Sequence, residues 1–73
     1  MKKTYEEIRR NVLLSLFNGK KTINEISRDS GVNWKTVQRH LTYLKGIELV
    51  SEVFSSPYVR IFDLTEKARE KII

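Results

Sequence analysis

The residues best equipped for chemistry lie between Asn33 and Lys45. At about 100° per residue, Lys35, Gln38, Arg39 and Thr42 fall about 100° to 200° from Val37, so a helix here carries one basic, hydrogen-bonding face. Val37, Leu41 and Leu44 recur at i, i+4 and i+7 and make a separate apolar face. Amides, hydroxyls and guanidinium groups set out in this way bind by hydrogen bonds and charge; nothing in the set breaks a covalent bond. The chain has no cysteine, which excludes disulfides, thiolate metal sites and thiol catalysis. Its single histidine, His40, makes no metal site alone and is expected to pack or hydrogen-bond locally. Glu6 and Glu7 sit side by side where no nucleophile, base and anion site converge. The expectation is a binding protein without catalytic residues, metal, cofactor or small-molecule ligand.

The setting agrees with a single domain spanning residues 1–73. The 73 residues carry 14 Lys+Arg against 9 Asp+Glu, a formal net charge of +5. A chain this short buries only about 60% of the surface it exposes when unfolded, and with no disulfide available self-association is the expected staple. Charge is uneven: residues 1–21 hold six basic and two acidic side chains, whereas residues 47–63 hold Arg60 against Glu48, Glu52 and Asp63. A basic first half is the footprint of a polyanion binder, although charge alone fits a solvated surface equally well. The longest apolar run, Val12-Leu13-Leu14, is far short of the roughly 18 residues a membrane span needs. Glu6 and Glu7 precede any apolar stretch, so no signal peptide is read and a soluble, cytoplasmic protein is expected.

Four helices and one hairpin position these residues. Thr4, with Glu7 three residues on, starts a helix expected to run to Asn18 and to end at Gly19. It has two apolar stripes: Tyr5, Ile8, Val12 and Leu16 on one side, Leu13, Leu14 and Phe17 on the other. Thr22 and Glu25 form the capping-box pattern of a short second helix that ends before Ser30-Gly31. Asn33 caps a third helix that runs to about Lys45, with Gly46 as its stop. A short turn containing Gly is what sets two helices roughly perpendicular, and Gly31 suits the positive φ it requires. Leu49-Val50 and Val53-Phe54, then Tyr58-Val59 and Ile61-Phe62, read as two strands joined by Ser55-Ser56-Pro57. Thr65 and Glu66 open a last short helix.

The stretch from Thr22 to Ser27, then Ser30-Gly31-Val32-Asn33-Trp34-Lys35-Thr36-Val37-Gln38-Arg39-His40-Leu41 and Gly46-Ile47-Glu48-Leu49-Val50, resembles the winged helix-turn-helix of prokaryotic transcription regulators of the ArsR-like and MarR-like type. Phe62-Asp63-Leu64-Thr65-Glu66-Lys67-Ala68 is similar to the closing strand and helix of small archaeal members, where Gly is commoner at the position of Ala68. The resemblance implies an α+β winged-helix fold of three helices, a two-stranded wing and a short C-terminal helix. It also implies a sequence-specific regulator of double-stranded DNA; repression is expected over activation because nothing in the chain reads as a polymerase-contacting arm, and the small size suits a compact archaeal or viral genome. A helix fits the major groove, where Arg, Lys, Asn and Gln read base edges. Trp34, Lys35, Gln38 and Arg39 are placed at the bases, with Thr42, Tyr43 and Lys45 further along. Asn33 and Thr36 are placed at phosphates, as are Lys20 and Lys21 just before the second helix. Trp34 also lies at the edge of the apolar face, so packing and DNA contact stay open for it.

The wing departs from the pattern, because Ser55-Ser56-Pro57-Tyr58 puts no cation at its tip. Phosphate contacts through Ser55, Ser56 or Arg60 are expected there, or none at all. The stripe Leu13, Leu14 and Phe17, with the tail Ile72 and Ile73, points to a homodimer interface, unless the last helix folds back over that stripe. Two other functions stay open: a protein-interaction module on the same fold, and a non-specific architectural DNA binder.

Overall fold

The computed structural model describes residues 4–72. Helix α1 spans Tyr5–Ser15, and the Thr4 hydroxyl accepts a hydrogen bond from the Glu7 amide at 3.1 Å. The helix stops three residues short of Asn18. The Ser15 hydroxyl donates to the Val12 carbonyl at 2.6 Å, and beyond it Leu16, Phe17 and Gly19 make i→i−3 bonds to Leu13, Leu14 and Leu16. These tighter bonds turn the chain out of the α-helix before Gly19 is reached.

Strand β1, Lys21–Thr22, leads directly into α2, Ile23–Ser30. Thr22 serves both elements. It pairs with Ile61 in the sheet, its hydroxyl accepts from the Glu25 amide, and its own amide donates to the Glu25 carboxylate at 2.9 Å. That last bond holds the Glu25 carboxyl below the usual carboxylate range. Gly31 follows at φ 70°, where a side chain is penalised, and its amide closes on the Ser27 carbonyl at 3.0 Å. The Ser27 hydroxyl donates onward to the Val32 carbonyl and pins the turn.

Helix α3, Trp34–Gly46, is capped by the Asn33 carboxamide oxygen, which accepts from the Lys35 amide at 2.9 Å. Gly46 is not the residue that ends it. Gly46 stays helical, and the left-handed position falls on Glu48 at φ 65°. Glu48 donates to the Lys45 carbonyl at 3.1 Å and Leu49 to the Leu44 carbonyl at 2.9 Å, which is a Schellman closure built on a non-glycine residue.

Strands β2, Val50–Ser55, and β3, Arg60–Leu64, form the wing, and the antiparallel sheet runs in the order β1-β3-β2. Two residues of β1 are too few to show a period-2 pattern, which is why only the hairpin was legible beforehand. Between the pairs Glu52–Phe62 and Phe54–Ile61 the register slips by one, leaving Val53 as a bulge. Helix α4, Glu66–Ile72, closes the chain, and the Thr65 hydroxyl ties it back by donating to the Glu48 carbonyl at 2.6 Å.

Val12 from α1, Leu16 just past its end, Ile26 from α2, Val37, Leu41 and Leu44 from α3, and Val50, Phe62, Leu64 and Ala68 meet in one core. Ile8 and Leu13 pack partly against it, so Leu13 belongs in part to the core and not wholly to an outer stripe. Leu14 and Phe17 are exposed. Ile73 and the side chain of Ile72 lie outside the described residues. His40 is 1% exposed on the core side of α3, its ring 4.6 Å from that of Tyr5. The Arg9 guanidinium lies over the rings of Tyr5 and Tyr43, at 4.7 and 3.9 Å.

Candidate nucleic-acid interface

Burying Val37, Leu41 and Leu44 fixes the roll of α3 and leaves Lys35, Arg39 and Thr42 exposed, with Gln38 half-buried beside them. Together with Trp34 they line one open cleft of about 360 Å³. Trp34 and Gln38 also line a second cleft, of about 310 Å³, between α3, the start of α2 and the wing; Asn24, Ser56, Pro57, Tyr58 and Arg60 are among its other walls. Trp34 is 49% exposed, and both clefts meet at it.

Among the described residues Lys35 and Arg39 have no carboxylate within ion-pair distance, and their charge faces outward. The wing differs. Glu52, on β2, is only 11% exposed in its side chain and receives Arg60 at 2.7 Å and Lys45 at 3.1 Å. The Arg60 hydrogen bond, with Lys45 assisting, holds the Glu52 carboxyl at about 2 and pushes the Arg60 guanidinium up. The Ser56 hydroxyl is also engaged: it accepts from the amides of Tyr58 and Val59 at 3.2 and 3.0 Å, inside the turn.

The geometry therefore gathers Trp34, Lys35, Gln38, Arg39 and Thr42 along α3 and brings Ser56 and Arg60 toward them. Asn33, Thr36, Lys20, Lys21 and Ser55 line neither cleft. Asn33 spends its carbonyl oxygen on the cap, Thr36 is half-buried, and Lys21 is held 3.7 Å from Asp29 with its side chain 18% exposed. Lys20 and Ser55 are exposed. Asn24 and Tyr58 enter the second cleft without having been singled out for DNA. Asn24 sits one residue into α2, and Tyr58 follows the only proline of the chain at a turn tip, which is the local signal for it.

Among the described residues no three His, Asp or Glu side chains come together in a way that could hold a metal ion, and no helix is long and apolar enough to cross a membrane.

Residues 6–52 match the family described as bacterial regulatory protein, arsR family. No curated protein matches the chain by sequence. Among solved structures it is similar to the Zalpha domain of Carassius auratus PKZ, crystallised in complex with Z-DNA: 28% identity, 82% of this chain and 95% of that one, TM-score 0.71. It shares its fold with Sso10a-2, a DNA-binding protein from Sulfolobus solfataricus, at 20% identity over 93% of this chain and 70% of that one, TM-score 0.80. It also shares it with a MarR family transcriptional regulator from Silicibacter pomeroyi, at 23% identity over 89% of this chain and 45% of that one, TM-score 0.79. The chain thus spans about half the length of that regulator.

Proposed function

The chain belongs to the arsR family of bacterial regulatory proteins, and from that membership we propose that it is a homodimeric repressor that reads duplex DNA with α3. Its fold is the winged helix of DNA-binding transcription regulators, not of an enzyme. The observation that carries the proposal is the α3 face, where Lys35 and Arg39 stand unpaired beside Gln38 and Thr42 while the opposite face is core. In the major groove Arg39 is suited to guanine and Gln38 to adenine, with Lys35, Thr42 and Trp34 at neighbouring positions. Asn33, Thr36, Lys20 and Lys21 hold phosphates on either side, which sets the register without reading sequence.

The dimer uses the outer face of α1. Leu14 and Phe17 are exposed there, and Glu6, Arg9, Arg10, Leu13 and Leu14 line a shallow groove of about 410 Å³. A two-fold axis through that groove would make the interface self-complementary, each contact occurring twice. Two α3 helices about 34 Å apart, or a multiple of it, then read an inverted repeat. Sedimentation at micromolar concentration should give twice 8.6 kDa; a single 8.6 kDa species overturns the dimer. Repression follows from occupancy, because a dimer seated on a promoter excludes polymerase without a further contact. The site of action is the cytoplasm, where the DNA is.

Selection on a randomised duplex of about 30 base pairs at near-physiological salt tests the reading. An enriched inverted repeat supports it. Binding at low salt without enrichment replaces it with an architectural DNA protein, and no binding at any salt replaces it with a protein-interaction module. A second reading takes left-handed duplex as the ligand, and the likeness to the Z-DNA-bound Zalpha domain over 95% of its length favours it. Inversion of the circular dichroism of an alternating CG duplex on adding the protein would establish that form; an unchanged right-handed spectrum removes it.

A further inference from the structure

We propose that Tyr58, at the tip of the wing, contacts DNA through its aromatic ring, so that the wing grips without charge. The inference rests on the assignment of α3 as the DNA-facing helix. The wing's cation and one of its two tip hydroxyls are occupied within the molecule, Arg60 by Glu52 at 2.7 Å and Ser56 by two amides of the turn, which leaves Ser55 as an exposed, uncharged hydroxyl. Lys45, the nearest cation at the end of α3, is bound to the same carboxylate. What the tip presents instead is Tyr58, 93% exposed and preceded by Pro57.

A lone exposed tyrosine is ordinary on a protein surface. The position of this one makes it informative. It lines the same cleft as Trp34 and Gln38, and those two residues also line the cleft that holds Lys35 and Arg39. On that assignment a duplex seated on Lys35 and Arg39 runs one strand past the wing tip. The strand offers apolar sugar edges there, and these accept an aromatic ring whatever the sequence. The tip is also held in place before any ligand arrives. The Ser56 amide donates to the Val59 carbonyl at 2.9 Å, and the two hydroxyl bonds brace the same four residues. A ring carried on a braced turn loses little freedom on binding, so its contact is retained as affinity.

The test compares the wild type, Tyr58→Ala, Tyr58→Phe and Arg39→Ala on one mixed-sequence duplex of about 30 base pairs, by fluorescence anisotropy across a range of salt. Tyr58→Ala should weaken binding about tenfold at every salt concentration with an unchanged log–log slope, and Tyr58→Phe should bind as the wild type does. Arg39→Ala should also weaken binding, which checks that α3 faces the DNA. Full-strength binding by Tyr58→Ala beside a weakened Arg39→Ala overturns the proposal and leaves α3 as the reading helix. A loss in Tyr58→Phe equal to that in Tyr58→Ala also overturns it, because the hydroxyl and not the ring would then be the contact. If Arg39→Ala keeps its affinity, the assignment of α3 itself fails.

Discussion

Arg39 and Arg60 are both arginines within reach of the α3–wing face, yet they are different chemical objects. Among the described residues Arg39 is exposed and has no carboxylate within ion-pair distance, whereas Arg60 is already in a charge-assisted pair with Glu52. Replacing Arg39 with Ala should cost about 1–3 kcal/mol on the selected site and relax preference at one base position. Lys20→Ala, at a phosphate, should weaken all sequences alike; titration of the cognate and a scrambled duplex separates the two behaviours. Glu52→Gln works in the other direction. It removes one negative charge and releases both Lys45 and Arg60, so binding to any duplex should tighten and its salt dependence should steepen by about one to two in log–log slope. Unchanged binding by Glu52→Gln would mean that neither cation can reach DNA even when freed.

The elements were legible where the signal is local. Thr22 with Glu25, Gly31, and Asn33 ahead of an apolar stripe each act within one turn of helix, and all appear where the residues place them. The parts that were not legible depend on contacts distant in sequence. Lys21–Thr22 is a strand only because Phe62 and Ile61 lie alongside it. The engagement of Arg60 follows from a register that includes the bulge at Val53, and no local pattern encodes that register. The end of α3 shows the same limit in another form, for two glycine-like roles were available and the chain put the left-handed one on Glu48. That choice yields a prediction for the element: Glu48→Gly should raise stability by about 0.5–1 kcal/mol, the relief of a left-handed side chain less the entropy glycine loses on folding. Urea unfolding monitored by circular dichroism measures it, and a lower midpoint would show that the Glu48 side chain has a role that compensates for its strain.

Acid acts on the molecule as a whole in two stages. Burial, and then the charge of Arg9, hold the His40 imidazole below its ordinary value of 6.5, so the folded state binds fewer protons there than the unfolded chain. The stability due to the neutral ring is fully present above pH 6.5 and falls as the pH drops below it. The Arg9 charge beside the buried ring disfavours an imidazolium there. Glu52, held at about 2, contributes stability above its ordinary 4.5 that is lost between there and about pH 2. Urea midpoints across pH should therefore show a shoulder on the mildly acidic side and a steeper fall below it. His40→Leu should remove the shoulder alone, and its persistence in that variant would assign it elsewhere. The bridge through Glu52 also bears on how a copy of the protein spends its time in a cell. Almost all the DNA it meets is the wrong DNA, and each open cation prolongs the stay there by the counterions it releases. A wing whose arginine is already bound within the fold adds nothing to those idle visits. On the proposed function, such a molecule would leave a wrong site sooner and inspect more of the genome in the interval between two cell divisions.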